Sequence, residues 1–435
     1  MSSQKERPFD ILVYGATGFT GKRVAQYISQ SHPDLALALA GRSESKLLTV
    51  ASELNLSPSS IFVAPVNDPT KLKEALRQAA IVLACAGPYR HVGCEIVEAA
   101  IQTKTDYLDL CGEPQFFDDM LVQHNQAAQK SQTLIVSACA FDCVPSELSA
   151  ELLKRTIQEQ FHQDVSGIQI VHTFEGCQAG NATTYHAAVD GFNAASNGEL
   201  RNSRQAVKHH FDIPPMPPRP ETWSKDIIPT PGFMPLYDAS LNTYLMKFIG
   251  ADAACISASD RYMRMFSKDG YASIPPPKLS VCFGIPDQVS AFKFLAYGGV
   301  FSTLAKSKWG VDRLHAHPEL FTNGLFQSKG PTEDQLKTGT FVTHSVGYGT
   351  TKEQYVKVTC RGPEPGYVAT PKVIVALALT VLRHREKLRF EGGVVLPGAL
   401  FGDCEEVYDV LRQEGIEFDI VESSALSSNA SDSQV

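Results

Sequence analysis

The stretch Gly15-Ala-Thr-Gly18-Phe-Thr-Gly21 spaces three glycines three residues apart, directly after the apolar run Phe9-Asp-Ile-Leu-Val-Tyr14. A residue without a Cβ can leave a strand by a tight turn, and amides at a helix start carry partial positive charge. Phosphates bind at such a spot. Gly15 serves the turn, Gly18 admits a pyrophosphate to the backbone, and Gly21 lets the following helix lie close to the sheet. Thr17 and Thr20 add hydroxyl donors on either side of Phe19. The spacing is GxxGxxG rather than GxGxxG, a variant used by NADP-dependent reductases.

A second feature selects among dinucleotides. The apolar run Leu35–Gly41 is followed by Arg42 and Ser43, then Lys46. An acid at this point accepts from a ribose 2′-OH, whereas a guanidinium donates a fork of bonds to a 2′-phosphate. The expected cofactor is NADP(H), although a surface arginine at a helix start has the same sequence appearance. Ala86, Gly87 and Pro88 follow another apolar run and are small enough to let a nicotinamide ribose come close. Asp68 could accept from the adenine amine, and serves equally as an N-cap before Pro69.

These residues need a frame, and the first third supplies one. Strands are predicted at Phe9–Tyr14, Leu35–Gly41, Ile61–Val63, Ile81–Cys85, Tyr107–Leu110 and Thr133–Val136. Helices are predicted between them at Lys22–Gln30, Ser45–Glu53, Asp68–Ala79, Cys94–Gln102 and Pro114–Lys130. Alternation in units of about 25–30 residues predicts an α/β fold, a Rossmann-type doubly wound parallel sheet.

After Ser146 the rhythm changes. Residues 165–190 read as a strand then a helix, and the proline-dense segment 212–236 as a long loop. The apolar stretch Val289–Ala305 is shorter than the ~20 residues that span a bilayer, so a buried or interfacial helix is expected ahead of the alternative, a membrane-surface patch. Phe341–Thr359 reads as a strand pair turning around Gly347-Tyr-Gly349, and Pro371–Arg385 as an apolar helix capped by Thr370. The serine-rich end, 423–435, reads as disordered.

The chain of 435 residues has a net charge of −8, which leaves no global positive field for nucleic acid. Its first residues lack an apolar h-region, so an intracellular, cytoplasmic chain is expected. The 10 cysteines stand singly with no CxxC pair, which argues for small buried residues and against a metal site.

A proton donor or substrate-orienting group is harder to find. Tyr348 and Lys352 have the Tyr-x-x-x-Lys spacing of short-chain dehydrogenases but sit in a glycine- and threonine-rich turn, which marks coincidence. Candidates remain at strand ends and beyond: Tyr89, Glu113, Asp142 and His186. Burial would raise the carboxyls toward useful pKa values. Helix capping explains Glu113 and Asp142 as readily, since Pro114 and Pro145 open helices, and a histidine such as His186 is more often structural.

The motifs together resemble the saccharopine dehydrogenase-like oxidoreductase family, which includes trans-acting enoyl reductases. They are Gly15–Gly21, Ala40-Gly-Arg-Ser43, Ala86-Gly-Pro-Tyr89, Asp109-Leu-Cys-Gly-Glu-Pro114, Phe141-Asp-Cys-Val-Pro-Ser146, Gly362–Pro371, Gly392–Pro397 and Gly415–Phe418. The resemblance implies an NADP-binding domain over 1–150 and a second, mixed α/β substrate or interface domain over 151–360. A C-terminal segment over 361–422 would then pack back on the first domain. It further implies NADPH-dependent reduction of a C=C bond in a lipid-like or polyketide-like substrate. Saccharopine-type C–N redox on an amino acid is the alternative, as is a non-catalytic NADP-binding protein on lipid surfaces. Peripheral membrane or lipid-droplet association and a homodimer are compatible with it.

Overall fold

The computed structural model describes residues 7–176, 179–224, 226–232 and 234–425. Cys177 and most of the serine-rich tail lie outside them. The chain divides into two compact units, Met1–Val144 with Tyr367–Ile416, and Pro145–Gly366 with Glu417–Val435.

The first unit alternates β1 (Phe9–Tyr14), α1 (Phe19–Ser31), β2 (Leu37–Gly41), α2 (Glu44–Glu53), β3 (Ile61–Val63) and α3 (Pro69–Leu76). It continues with β4 (Ala79–Ala84), α4 (Tyr89–Thr103), β5 (Asp106–Asp109), α5 (Pro114–Ser131) and β6 (Leu134–Val136). The strand order is 3-2-1-4-5-6, every pair parallel. Strands β2 and β4 are buried throughout, as expected for a sheet covered by helices on both faces. Strand Gly393–Val395 joins the outer edge of β6, also parallel, so the C-terminal part extends the same sheet.

Two helices begin earlier than their apolar periodicity indicates. α1 starts at Phe19 rather than Lys22, because the glycine motif itself forms the first turn. α4 starts at Tyr89 rather than Cys94, because a carboxylate from another loop holds its first amide. Helix Thr370–His384 is not capped by Thr370: a π-helical turn, Pro365–Ala369, runs straight into it. Thr370 Oγ1 instead accepts from the Phe141 amide at 3.3 Å. Residues Pro365–Lys387 are apolar and long enough to cross a membrane, but 72% of that window is buried, as in a core helix.

The second unit is built on a mixed sheet ordered Glu417–Ser423, Tyr355–Pro363, Thr340–Tyr348, Gly167–Glu175, Lys278–Ile285, Thr243–Lys247, Leu236–Asp238. One pair is parallel and the rest antiparallel. Several expectations are corrected here. Of the expected return segment 361–422 only Tyr367–Ile416 belongs to the first unit: 361–366 stay with the second, and Glu417–Ser423 pairs there with Tyr355–Pro363, whose edge amides and carbonyls it satisfies. Ser423 therefore ends a strand rather than opening a disordered tail. The hairpin turns at 349–354, and Gly347 lies inside a strand, where a Cβ would press on Leu153 and Ile157. The apolar helix at Gln288–Leu304 is not buried: of its residues only Ala291 is.

The described cysteines are free thiols, most of them buried.

Arg385 ties the C-terminal return to the first sheet. Its guanidinium pairs with Asp106, which is nearly inaccessible, and donates to the carbonyls of Gln132 at 2.8 Å and Glu391 at 2.9 Å. Arg385→Ala removes this charge-assisted pairing from a buried carboxylate and should cost about 2–3 kcal/mol. Urea unfolding of the variant checks this, and an unchanged first transition would contradict it.

Candidate dinucleotide-binding site

The carboxyl ends of β1 and β4 lie side by side where the strand order reverses, the position at which open α/β sheets hold ligands. Both turns there are shaped by missing side chains. Gly15 adopts φ +82°, and a Cβ on it would lie 2.9 Å from the Ala86 amide nitrogen. A Cβ on Gly21 would come within 2.3 Å of the Gly15 carbonyl oxygen and 3.2 Å of Cys85 Cβ. Gly18 is exposed, and its amide donates to the Gly15 carbonyl at 2.9 Å. Three glycines thus bring the turn, the first turn of α1 and the Ala86-Gly87 loop into mutual contact.

α1 opens at Gly18 with extended backbone, without a side-chain cap and without an acid in its first turn. The amides of Phe19, Thr20 and Gly21 precede the first intrahelical donor, Lys22, which bonds Gly18 at 3.0 Å. This donor set fits a pyrophosphate. Thr17, Phe19 and Thr20 are half-buried around it. The Phe19 ring is held by Tyr367, edge-on at 4.9 Å, and by Arg23 over its face.

At the end of β2, Arg42 is exposed, with no hydrogen bond or ion pair among the described residues. Ser43 occupies the N-cap position of α2 but makes no cap bond, and Lys46 is exposed one turn on. Two cations and a hydroxyl therefore face outward from a single turn. Asp68, by contrast, is a cap: its Oδ1 accepts from the Lys71 amide at 3.1 Å.

Two of the proton-donor candidates are structural. Tyr89 donates its hydroxyl to the Ala84 carbonyl at 2.7 Å and accepts from the Leu110 amide at 3.1 Å. Burial and the nearby Asp109 push its pKa well above the ordinary phenol range. Glu113 makes no cap bond to its own helix; it accepts from the Tyr89 amide at 3.0 Å and Arg90 Nε at 2.7 Å, capping α4. Asp142 stays exposed, close to Gly112. His186 belongs to the other unit, where its Nε2 lies 3.1 Å from the His315 carbonyl.

Sequence reasoning passed over Asp109. Its fully buried carboxylate accepts from the amides of Cys111 and Ala138, each at 2.9 Å, and from the hydroxyls of Tyr107 at 2.8 Å and Ser137 at 2.9 Å. It thereby pins together the loops after β5 and β6. An acid ending an apolar strand, followed by small residues, was the available signal. Burial raises its pKa to about 6, although the donors pull it down.

In the second unit Ser146, His172 and Asp252 meet with no solvent exposure. His172 Nε2 lies 3.3 Å from Ser146 Oγ and 3.2 Å from Asp252 Oδ1, while Nδ1 faces Thr343 Oγ1 at 2.9 Å. A nucleophilic triad needs serine and acid on opposite ring nitrogens, so this cluster is a buried polar brace.

The saccharopine dehydrogenase NADP binding domain family matches residues 11–136, the segment that carries these turns. A rat saccharopine dehydrogenase-like oxidoreductase is 30% identical over 97% of this chain and 99% of its own length. The chain belongs to the saccharopine dehydrogenase-like oxidoreductase family. A lipid droplet localized protein of Caenorhabditis elegans is 27% identical over 95% of this chain and 98% of its own. A Mycobacterium tuberculosis protein named as a trans-acting enoyl reductase is 27% identical over 92% of this chain and 94% of its own. As in the family, the cofactor is NADP(H).

Asp109 makes stability depend on pH. Its folded pKa, about 6, exceeds the unfolded 3.8, so the stability it contributes is complete below the unfolded value and fades as pH rises through the folded one. The loss should approach about 3 kcal/mol between pH 4 and 7. Asp109→Asn should remove that slope in denaturation curves recorded across the range; parallel slopes for the two proteins would refute it.

Proposed function

We propose that this oxidoreductase uses NADPH to reduce a polarised double bond, a C=C in a lipid-like acyl substrate. The observation that carries the cofactor side is the pairing of an uncapped α1 start with the outward Arg42, Ser43 and Lys46. In this reading the amides from Gly15 to Gly21 hold the pyrophosphate, and Arg42 with Ser43 and Lys46 holds the 2′-phosphate. Ala86, Gly87 and Pro88 leave room for the nicotinamide ribose. Bound NADPH supplies the hydride; the chain supplies orientation, exclusion of water and a place for the proton.

Tyr89 and Glu113 have their polar atoms engaged in scaffolding, and His186 turns its Nε2 to the His315 carbonyl, so none is proposed as the proton donor. Asp142, exposed after β6, is proposed to orient the substrate. The enoyl reading draws on the M. tuberculosis relative's name, and the lipid-like substrate on that of the worm relative.

If Arg42 recognises the 2′-phosphate, NADPH should bind well over tenfold tighter than NADH in a fluorescence titration, and Arg42→Ala should erase most of the difference. Equal affinities in the native protein would defeat the assignment. NADPH oxidation should appear with an enoyl thioester in preference to imine or keto-acid substrates. Gly18→Asp should abolish it by placing a carboxylate where phosphate binds, and Asp142→Asn should lower kcat/KM at least tenfold without altering NADPH affinity. Turnover confined to imines would favour C–N chemistry instead.

A further inference from the structure

The helix Gln288–Leu304 is unlike the others. One side rests on its own unit: Phe294 packs against Phe283 at 4.8 Å, Leu295 against the cluster of Met246, Ile285 and Ala291, and Phe301 against Tyr185 and Phe192. The opposite side should then be polar. It is apolar instead. Val289 is 63% exposed, and Phe292, Ala296, Tyr297 and Val300 follow at helical spacing, all exposed. At Gly298 and Gly299 a Cβ would meet nothing within 4 Å, which leaves a shallow groove along the outer side. The chain then turns at Ala305 and presents Trp309, 64% exposed, with the Arg313 guanidinium over its ring at 5.6 Å.

The charges around this patch indicate what covers it. Between residues 287 and 313 stand Lys293, Lys306, Lys308 and Arg313 against two acids, Asp287, which caps the helix, and Asp312, a local excess of positive charge in a chain whose net charge is −8. The lysines are exposed. A second copy docked across a twofold axis would bring these cations against one another. An anionic lipid surface would match them, with the lysines at headgroup level, Trp309 and Tyr297 at the boundary, and Val289, Phe292 and Val300 among acyl chains. The helix is about 26 Å long by its residue count, too short to cross the hydrocarbon core upright.

We infer that Gln288–Leu304, with the Lys306–Arg313 turn, is an in-plane anchor that docks this protein on an anionic phospholipid surface. The inference is independent of the reductase chemistry, since vesicle binding and NADPH turnover are read separately.

The test is flotation of the full chain with vesicles of phosphatidylcholine alone and of phosphatidylcholine with phosphatidylserine at 7:3. The native protein should float with the anionic vesicles, lose most of that binding in high salt, and show a blue-shifted Trp309 emission. The other tryptophan, Trp223, is buried and contributes little to the shift. Phe292→Gln/Val300→Gln, which touches only exposed positions, should lower the partition coefficient at least tenfold. Lys306→Gln/Lys308→Gln should lower it about tenfold on anionic vesicles and little on neutral ones. Far-UV circular dichroism and urea unfolding unchanged from the native protein in both variants would show that the second unit, which carries these positions, still folds. No flotation of the native protein would overturn the inference, as would flotation unaffected by Phe292→Gln/Val300→Gln. A native dimer in sedimentation that the same variant dissociates, without vesicle binding, would assign the face to a second copy and also overturn it.

Discussion

Close approach of backbone to backbone at one point governs the first unit. The carbonyl of Gly15, the first turn of α1 and the amide of Ala86 occupy a space in which no Cβ fits at Gly15 or Gly21. Because the contact joins the turns after β1 and β4, it also sets the mouth between the two halves of the doubly wound sheet. The bare amides of α1 are a consequence. A helix packed this tightly against the preceding turn has no side chain available to cap it, and the donors remain for an anion.

Residues with an enzymatic look turn out to maintain that mouth. Tyr89 fastens the end of β4 to the loop after β5, and Glu113 holds the first amide of α4. Asp109 gathers donors from the loops after β5 and β6 around one carboxylate. Their buried polar atoms are almost fully occupied, as burial demands. A cofactor enzyme tolerates this economy, because its protein must place groups more than it must supply reactive ones.

The second unit shows the same principle and an exception to it. Ser146, His172, Asp252 and Thr343 form a buried polar brace in its interior, in which Asp252 Oδ2 alone has no hydrogen-bond partner among the described residues. The helix Gln288–Leu304 instead leaves apolar side chains facing outward beside lysines. Exposed apolar side chains in a row, bordered by an excess of cations, mark a docking face.

The order of elements from β1 to β6, the glycine turn and the cation after β2 could be read from the sequence, because each rests on local rules. These are the period of burial, the steric freedom of glycine, and the charge a phosphate requires. Residue type could not separate Asp68 as cap from Asp68 as ligand, nor Glu113 capping α5 from Glu113 capping α4. A carboxylate's partner depends on which loop the fold brings within 3 Å. The same limit hid Asp109, whose four donors come from residues spread between 107 and 138. It also hid the transfer of Glu417–Ser423 to the second sheet and the exposure of the apolar helix. Hydrophobic pattern states that a segment seeks cover, and only the tertiary arrangement decides which edge or face provides it.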